Sequence, residues 1–321
     1  MLLRPPPGLL LYLSNPMSHS LKPFLACVLF TGLTIGSVVT AANAPAPLVL
    51  MSDFGTRDGA VAAMKGVAYS VSQKLLVADL SHDNNDGIFA GAYRLYQAEE
   101  FWPAGSVFVT VIDPGVGTQR LSVVLKTRNG HFFVGPNNGL MTFVAEQDGI
   151  EELRQIDEKV NRRPGSENSH TFHGRDVFAY TGARLAAGII SFEQVGPKLP
   201  AQQLISIAYR KPAIAAGKVT GIIPVLDVQY GNVWTNIPQA LFEQLHIVHG
   251  DSVHLRIYHG EKLVDEVRAP YRKTFGDVPI GAPVIYINSL LNVALALNQG
   301  DYAAAHKVGS GVDWSVEIRK E

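Results

Sequence analysis

The chain has a single cysteine, Cys27, among its 321 residues. It can therefore form no disulfide within itself and offers no thiolate set for a zinc or iron–sulfur site. Charge is scarce and balanced: 27 Lys and Arg stand against 28 Asp and Glu, 17% of the sequence together, for a net charge of −1. That balance gives no general attraction to nucleic acid or to an anionic membrane, and no run of Lys or Arg creates one locally. Internal repeats are absent. A Gly-x-Ser-x-Gly elbow is absent too, which removes the usual support for a serine hydrolase. Gly115-Val116-Gly117 is followed by no Gly-Lys-Ser/Thr, so it is not a phosphate-binding loop of the P-loop kind. What the chain does have is 47% hydrophobic residues, enough to bury the cores of two domains.

The one long apolar stretch lies at the start. Lys22 is followed by Phe24 to Phe30 and a further apolar run to Val39, then by Thr40-Ala41-Ala42-Asn43-Ala44. A basic residue, an apolar core and small residues in that order read as a secretory signal cleaved near Ala41 to Ala44. Met17 serves as an alternative start, because Pro5-Pro6-Pro7 is an unusual leader. The rival reading is an uncleaved membrane anchor, for which the apolar run is just long enough. Cleavage would remove Cys27 and leave 25 basic against 28 acidic residues, a net charge of −3. The expectation is an exported protein, periplasmic or secreted, with no membrane association once the signal is gone.

From residue 45 onwards short apolar strands alternate with amphipathic helices. Leu48 to Met51 is one strand, and the spacing of Val61, Met64, Val67, Ala68 and Val71 predicts the helix after it. Leu75 to Leu80 precedes a helix carrying Ile88, Ala92, Leu95 and Tyr96, with Asp86 as its expected cap. Val107 to Ile112 is the third strand. Leu121 to Lys126 and His131 to Val134 read as a hairpin around Asn129-Gly130, and Ala183 to Ile189 as a closing helix. This predicts an N-terminal α/β domain over residues 45–205 with a mainly parallel sheet covered on both faces. A linker over 206–212 leads to residues 213–321, where strands at Val219–Val228, Ser252–Tyr258, Val264–Val267, Val284–Ile287 and Ser315–Ile318 predict a β-barrel-like or sandwich domain.

Two strands of the first domain end in carboxylates. Ser52-Asp53-Phe54-Gly55 closes the first, and Asp113-Pro114-Gly115-Val116-Gly117-Thr118-Gln119-Arg120 closes the third. In an open α/β sheet this is the edge where ligands bind, so both carboxylates are placed to line one crevice. Arg120 lies across a Pro-Gly turn from Asp113 and can fold back to it. Asp53 reads either as a carboxylate holding a ribose diol or as a helix cap or Asx turn. His173 is either a satisfied structural histidine or, beside a carboxylate and an arginine, a group that handles protons. His170-x-x-His173 and His246-x-x-His249 have a spacing open to metal, but each pair lacks an obvious third ligand.

Taken together, five ordered motifs resemble the S-adenosylmethionine (SAM) hydroxide adenosyltransferase family, which is related to the fluorinases and chlorinases. They are Ser52-Asp53-Phe54-Gly55 with Met64-Lys65-Gly66, the Asp113 to Arg120 stretch, Pro136-Asn137-Asn138-Gly139-Leu140, Phe172-His173-Gly174-Arg175-Asp176-Val177-Phe178, and Asp227 with Tyr230-Gly231-Asn232. The resemblance covers essentially the whole chain after the leader. It implies hydrolysis of SAM to adenosine and methionine by attack of water or hydroxide on the ribose C5′. No cofactor and no metal are implied, SAM being the substrate. By the same resemblance Asp113, Arg120 and His173 hold and activate the water, and Asp53 binds the ribose. Asp227 and Asn232 fall on the methionine side, Ser289 lies in the adenine-side segment, and Tyr230 is a further substrate-binding residue. The family also implies a homotrimer, with each site between the N-terminal domain of one subunit and the C-terminal domain of the next.

Several positions depart from the family pattern. Asp83 to Gly87 lacks the aromatic residue that relatives place over the ligand, Asn288-Ser289-Leu290-Leu291-Asn292 lacks the glycine expected after the serine, and Asn137 replaces the aspartate usual in hydrolases. The halide-using relatives carry uncharged groups where Asp113 stands, which aligns this chain with water as nucleophile. Alternatives of other kinds are an exported protein that binds adenosyl compounds without turnover, a SAM-dependent halogenase-like enzyme, and a metal hydrolase using the paired histidines.

Overall fold

A computed structural model describes residues 44–84 and 86–321. The leader expected over residues 1–44 lies outside the described residues apart from Ala44, as does Asn85 of the loop after the second strand. Seven strands form the first sheet: β1 (Leu48–Ser52), β2 (Val77–Ser81), β3 (Val107–Val111), β4 (Ser122–Thr127), β5 (Phe132–Pro136), β6 (Ile150–Gln155) and β7 (Lys198–Leu199). Their order is β2-β1-β3-β5-β4-β6-β7. The first four in that order run parallel, while β4, β6 and β7 pair antiparallel to their neighbours. The Asn129-Gly130 turn closes the β4–β5 hairpin as its sequence indicates, Gly130 taking φ 93°.

Every residue of β1 and β3 is buried because both faces of the sheet are covered. Leu48 and Leu50 point to one face with Val107, Val109 and Val111, where Met64, Val67 and Ala68 of α1 (Ala60–Val71) and Ala183 of α4 (Tyr180–Ala186) pack. Val49 and Met51 point to the other with Phe108, against Ala92, Tyr93 and Leu95 of α2 (Gly87–Glu99) and Phe143 of α3 (Thr142–Asp148). With α1 and α2 on opposite faces, and β2 and β3 on opposite sides of β1, the chain reverses direction across the sheet between β1 and β3. In open α/β sheets such a reversal is where ligands bind, here at the C-terminal ends of these two strands.

The second half is antiparallel. β8 (Ala213–Ala215), β9 (Lys218–Ile223), β12 (Ser252–His259), β13 (Lys262–Pro270) and β16 (Gly311–Lys320) form one sheet, and β10 (Val225–Asp227), β11 (Asn232–Pro238), β14 (Pro283–Ile287) and β15 (Asn292–Leu297) the other. Val219, Val253 and Val316 from the first meet Val233, Ile285 and Val293 from the second in a single core. The expected strand from Val219 to Val228 is two strands in two different sheets. Pro224 separates them because it has no N–H to donate to a ladder. β11 and β15 escape the pattern reading: Asn236 and Pro238 interrupt the first, and alanine at 294 and 296 dilutes the β signal of the second. Asp86 stands at the start of α2, yet its side chain makes no capping bond and pairs with Arg94 at 2.7 Å instead.

A buried polar cluster lies away from the crevice, between the ends of α2 and α3 and the β4–β5 turn. Glu99 is fully buried, and neither of its carboxyl oxygens has a hydrogen-bond partner. His131 Nε2 lies 3.7 Å from Glu99 Oε2. Burial, with the adjacent Asp148 charge, pushes the Glu99 carboxyl up to about 7. Burial holds His131 below its usual range. A carboxyl raised on folding gives stability that is complete below its unfolded value and is lost as pH climbs through its folded one. In thermal denaturation between pH 5 and pH 8 the parent protein should therefore lose stability with rising pH relative to Glu99→Gln. An identical slope in both proteins would mean that Glu99 does not hold its proton in the folded state.

Candidate active site

β1 and β3 deliver Asp53 and Asp113 side by side at the crevice. The Asp53 N–H donates to the Val111 carbonyl at 3.2 Å, so the end of β1 is stitched to the end of β3. Burial pushes the Asp53 carboxyl above the usual carboxylate range, and the Asp113 charge adds to this against the pull of backbone N–H groups of Asp53 and Asp113. After Asp113 the chain makes two tight turns, with Val116 N–H to the Asp113 carbonyl at 3.2 Å and Thr118 N–H to the Gly115 carbonyl at 3.1 Å. Gly117 takes φ 79°, a conformation open to glycine at little cost. The turns return the chain so that Arg120 faces Asp113.

Arg120 is held at four points. Its Nε lies 3.0 and 3.1 Å from the two Asp113 oxygens, and its Nη2 lies 2.5 Å from Oδ2. Nη1 donates to Ser122 Oγ at 2.9 Å, and Nη2 lies 3.0 Å from His173 Nδ1. The ring of Phe178 packs beneath the guanidinium at 5.2 Å. Both members of the ion pair are largely buried, the Arg120 side chain 10% and the Asp113 side chain 5% exposed, so the charges are screened little by water.

The state of His173 follows from its neighbours. A guanidinium only donates, so Nδ1 must accept from Arg120. Arg162 Nη2 approaches Nε2 at 3.4 Å, and both ring nitrogens cannot be acceptors in a ring that carries one proton. The short Arg120 contact fixes the neutral ring with its proton on Nε2. Burial lowers the affinity of His173 for a second proton; Arg120 and Arg162 lower it further, opposed by Glu158 and Asp113. The arrangement is a carboxylate, a guanidinium and a neutral imidazole on one edge of a ligand crevice.

The surrounding elements explain why these side chains stay in place. Gly174 to Ala179 form a π-helical turn that runs directly into α4, so the helix expected from Ala183 starts earlier and with a wider turn. Gly174 lets the turn pass close to the Phe54 ring, from which a Cβ there would sit 3.0 Å. Asp176 is fully buried and takes Arg175 at 2.7 Å and Arg163 at 3.2 Å. Beneath Asp53, Ser52 Oγ donates to His82 Nδ1 at 2.7 Å and His82 Nε2 donates to Asp79 at 3.1 Å. Ser52 is fully buried, so this Ser-His-Asp relay braces the turn and exposes no nucleophile. Asn84 Nδ2 adds a bond to the Ser52 carbonyl at 2.8 Å.

The Pro136 to Leu140 motif is structural in the same sense. Asn138 Nδ2 donates to the Ile112 carbonyl at 2.8 Å, tying the next loop to the end of β3. Asn137 donates to the Gln203 carbonyl and accepts from Ile205 N–H, both at 2.8 Å. An aspartate could make only the second of these bonds.

Asp227, Tyr230, Asn232 and Ser289 lie in the second half. They line a cavity of about 850 Å³ together with Trp234, Lys273, Phe275, Tyr286 and Asn298. Asn232 Nδ2 donates to Asp227 Oδ2 at 3.2 Å, and Gly231, at φ 64°, lets the turn pass Asp301, whose carboxyl would collide with any Cβ there. Asn288 Oδ1 accepts from Leu290 and Asn292 N–H, both at 3.0 Å, and Leu291 adopts φ 56°, the left-handed conformation that glycine adopts freely. None of Asp53, Asp113, Arg120 or His173 borders this cavity. The sequence-predicted residues form two groups, one on each half of the chain. Sequence reasoning missed Lys273, Phe275 and Tyr286, which the aromatic-containing segments around 275 and 286 could have signalled, and it missed Ser122, Glu158 and Arg162, for which no motif exists.

Among the described residues no group of three or more His, Cys, Asp or Glu side chains is placed to hold a metal ion. Nor is any helix of the described residues long and apolar enough to cross a membrane. His249 stacks on Tyr271 at 4.3 Å, and His246 takes φ 54° in the loop before it.

The SAM hydroxide adenosyltransferase N-terminal domain matches residues 48–196, and the C-terminal domain of that family matches residues 221–315. The chain belongs to this family. SAM hydroxide adenosyltransferases act on SAM, and this chain is similar to named enzymes of two kinds. It is 33% identical over 272 residues to the (R)-S-adenosyl-L-methionine hydrolase of Thermus thermophilus, covering 83% of this chain and 97% of that one. It is 34% identical over 233 residues to the hydrolase of the same name from Methanocaldococcus jannaschii, covering 71% and 80%. A fluorinase from an Actinoplanes species is 30% identical over 300 residues, covering 86% and 98%. Among solved structures, an uncharacterized conserved protein from Thermotoga maritima superposes with a TM-score of 0.77 at 34% identity, covering 85% of this chain and 99% of that one.

The hydrogen-bond pattern around His173 in this SAM hydroxide adenosyltransferase gives a direct test. In ¹⁵N-histidine-labelled protein the His173 ring should be neutral with its proton on Nε2 at pH 6.5, and should titrate below the usual histidine midpoint. A charged ring at that pH would mean that the two guanidiniums do not face it.

Proposed function

We propose that this chain hydrolyses SAM to adenosine and methionine, with Asp113, Arg120 and His173 holding and activating the attacking water. The observation that carries the reading is the buried Asp113–Arg120 pair, its guanidinium shared with a neutral His173, at the strand ends where an α/β sheet binds ligands. In the reaction a water oxygen forms a bond to C5′ as the C5′–S bond breaks. The sulfonium leaves as a neutral thioether and a proton is released. The leaving group needs no acid, so the work is to desolvate and aim the nucleophile. Asp113 accepts the water's hydrogen bond and then its proton. Arg120 keeps the Asp113 carboxylate in one orientation and stabilises negative charge gathering on the oxygen. The Asp113 charge also disfavours a halide in the same place, which separates this chain from the fluorinase chemistry of its relatives. Asp53, its carboxyl beside the crevice, takes the ribose hydroxyls; Asp227 and Asn232 take the methionine part, Ser289 lies in the adenine-side segment, and Tyr230 is a further substrate-binding residue.

Since the residues fall into two groups on separate halves of one chain, the complete site is assigned to two copies, in a homotrimer of the kind the family resemblance implies. The protein is read as exported after cleavage near Ala41 to Ala44. Light scattering should give three chains per particle. A fully active monomer would overturn the shared site.

The second reading, capture of an adenosyl compound without turnover, draws on the lack of an aromatic residue from Asp83 to Gly87. Incubation with SAM followed by chromatography separates the two. Adenosine and methionine in equal amounts are expected, whereas retained and unchanged SAM would leave only binding. Chloride or fluoride in the incubation should produce no halogenated nucleoside. Asp113→Asn should lower turnover about a hundredfold or more with KM nearly unchanged, the range for a positioned acid–base group. Asp53→Asn should instead weaken SAM binding, because the ribose diol loses charge-assisted hydrogen bonds. The opposite split between rate and affinity would exchange the two assignments.

A further inference from the structure

We propose that Glu158 is a positioning residue that fixes the orientation of Arg120 and balances the positive charge around His173. The inference rests on the water-activating role given to those two residues above. Glu158 lies beyond β6, in a segment that none of the family-resembling motifs includes. Its two carboxyl oxygens serve two different arms of one ring of contacts. Oε1 accepts from Ser122 Oγ at 2.9 Å, and Ser122 Oγ in turn accepts from Arg120 Nη1 at 2.9 Å. Oε2 accepts from Arg162 Nη2 at 2.6 Å, and that same nitrogen stands 3.4 Å from His173 Nε2. The ring closes through Arg120 Nη2 and His173 Nδ1 at 3.0 Å.

The charge pattern has one arithmetic. Two guanidiniums, Arg120 and Arg162, flank one imidazole, and two carboxylates, Asp113 and Glu158, offset them. The Glu158 carboxyl stays ionised although burial opposes it, because the hydrogen bonds from Arg162 and Ser122 outweigh that penalty and hold it below the usual range. Glu158, Lys159, Arg162, His170 and His173 border one further cavity of about 440 Å³, together with Gly117 and Thr118. Thus the charged or titratable groups that face His173 are Arg120 and Asp113 on one side, and Glu158, Arg162, Lys159 and His170 on the other. Glu158 is the only carboxylate in the second group. Without it, Arg162 beside the imidazole is uncompensated, and Ser122 loses the acceptor that orients its hydroxyl under Arg120.

The test uses the full chain and two readouts. In Glu158→Gln the His173 ring should titrate about one pH unit lower than in the parent protein, the shift expected when an opposite charge within a few ångströms is removed. With SAM as substrate, turnover should fall about tenfold while KM stays within about twofold, as for a loss of alignment in place of a loss of binding. Glu158→Asp should recover part of both effects. Ser122→Ala cuts only the arm to Arg120, so it should lower turnover about threefold and leave the His173 midpoint where it was. A His173 midpoint that does not move in Glu158→Gln overturns the proposal, as does a fall in turnover that merely follows a fall in thermal stability. The titration needs no catalysis. A parent protein that leaves SAM intact therefore refutes the hydrolase reading, while the His173 midpoint still decides the role of Glu158.

Discussion

A single guanidinium organises the N-terminal half of this protein. Arg120 joins the turn after β3 to the start of β4 through Asp113 and Ser122, and to both ends of the π-helical turn through His173 and Phe178. A planar group with five donors can serve three differently placed acceptors at once, and an ammonium cannot. Burying the ion pair removes competing water, which makes the hydrogen-bond geometry stringent. It also carries a desolvation cost that only complete pairing offsets. The contacts that complete it reach back through Ser122 to Glu158 and Arg162, so the charge balance of the site extends well past the residues that face the crevice.

Much of the fold can be read from the sequence because the physics that sets it is local or periodic. Apolar runs of about five residues at 48, 107 and 132 are too short for helices, and each is buried on both faces. The carboxylates at 53 and 113 stand at strand ends, and strand ends in such sheets face ligands. Other features depend on contacts between residues distant in sequence. Ser122 and Glu158 are 36 positions apart, and neither has a local pattern that announces a partner. Asp86 is well placed for a cap by sequence, yet the charge of Arg94 eight positions on provides a better partner. In the second half, proline at 224 turns one expected strand into a corner between two sheets.

The division of the candidate site into two groups of residues is a consequence of topology. The N-terminal group lies at the paired ends of β1 and β3, where the strand order reverses. The larger cavity exists because the Asp227–Asn232 turn, the 273–275 loop and the 286–289 segment meet at one end of an antiparallel sandwich. Each half has apolar clusters of its own, and a further cluster joins Phe108 and Phe143 of the first half to Val225 and Trp234 of the second. The departures from the family pattern lie in loops and at the element ends beside them, at residues 83–87, 137 and 288–292, whereas the Asp113, Arg120 and His173 motifs follow strand ends or head a helical turn. Loops can change at small cost to the core, while the strand-end residues are fixed by pairing on both sides.

The π-helical turn at Gly174–Ala179 has a bearing on how this motif can vary. A turn with i→i+5 bonding holds one residue more than an α-helical turn, so His173 at its head and the residues of α4 at its foot are out of step by a fraction of a helical revolution. Deleting one residue there would let the segment relax into a regular α-helix. That would rotate His173 away from Arg120 while leaving the apolar face of α4 on the sheet. The segment is therefore sensitive to a change in length even where its composition is kept, and an insertion or deletion of one residue would separate fold from chemistry in a single step.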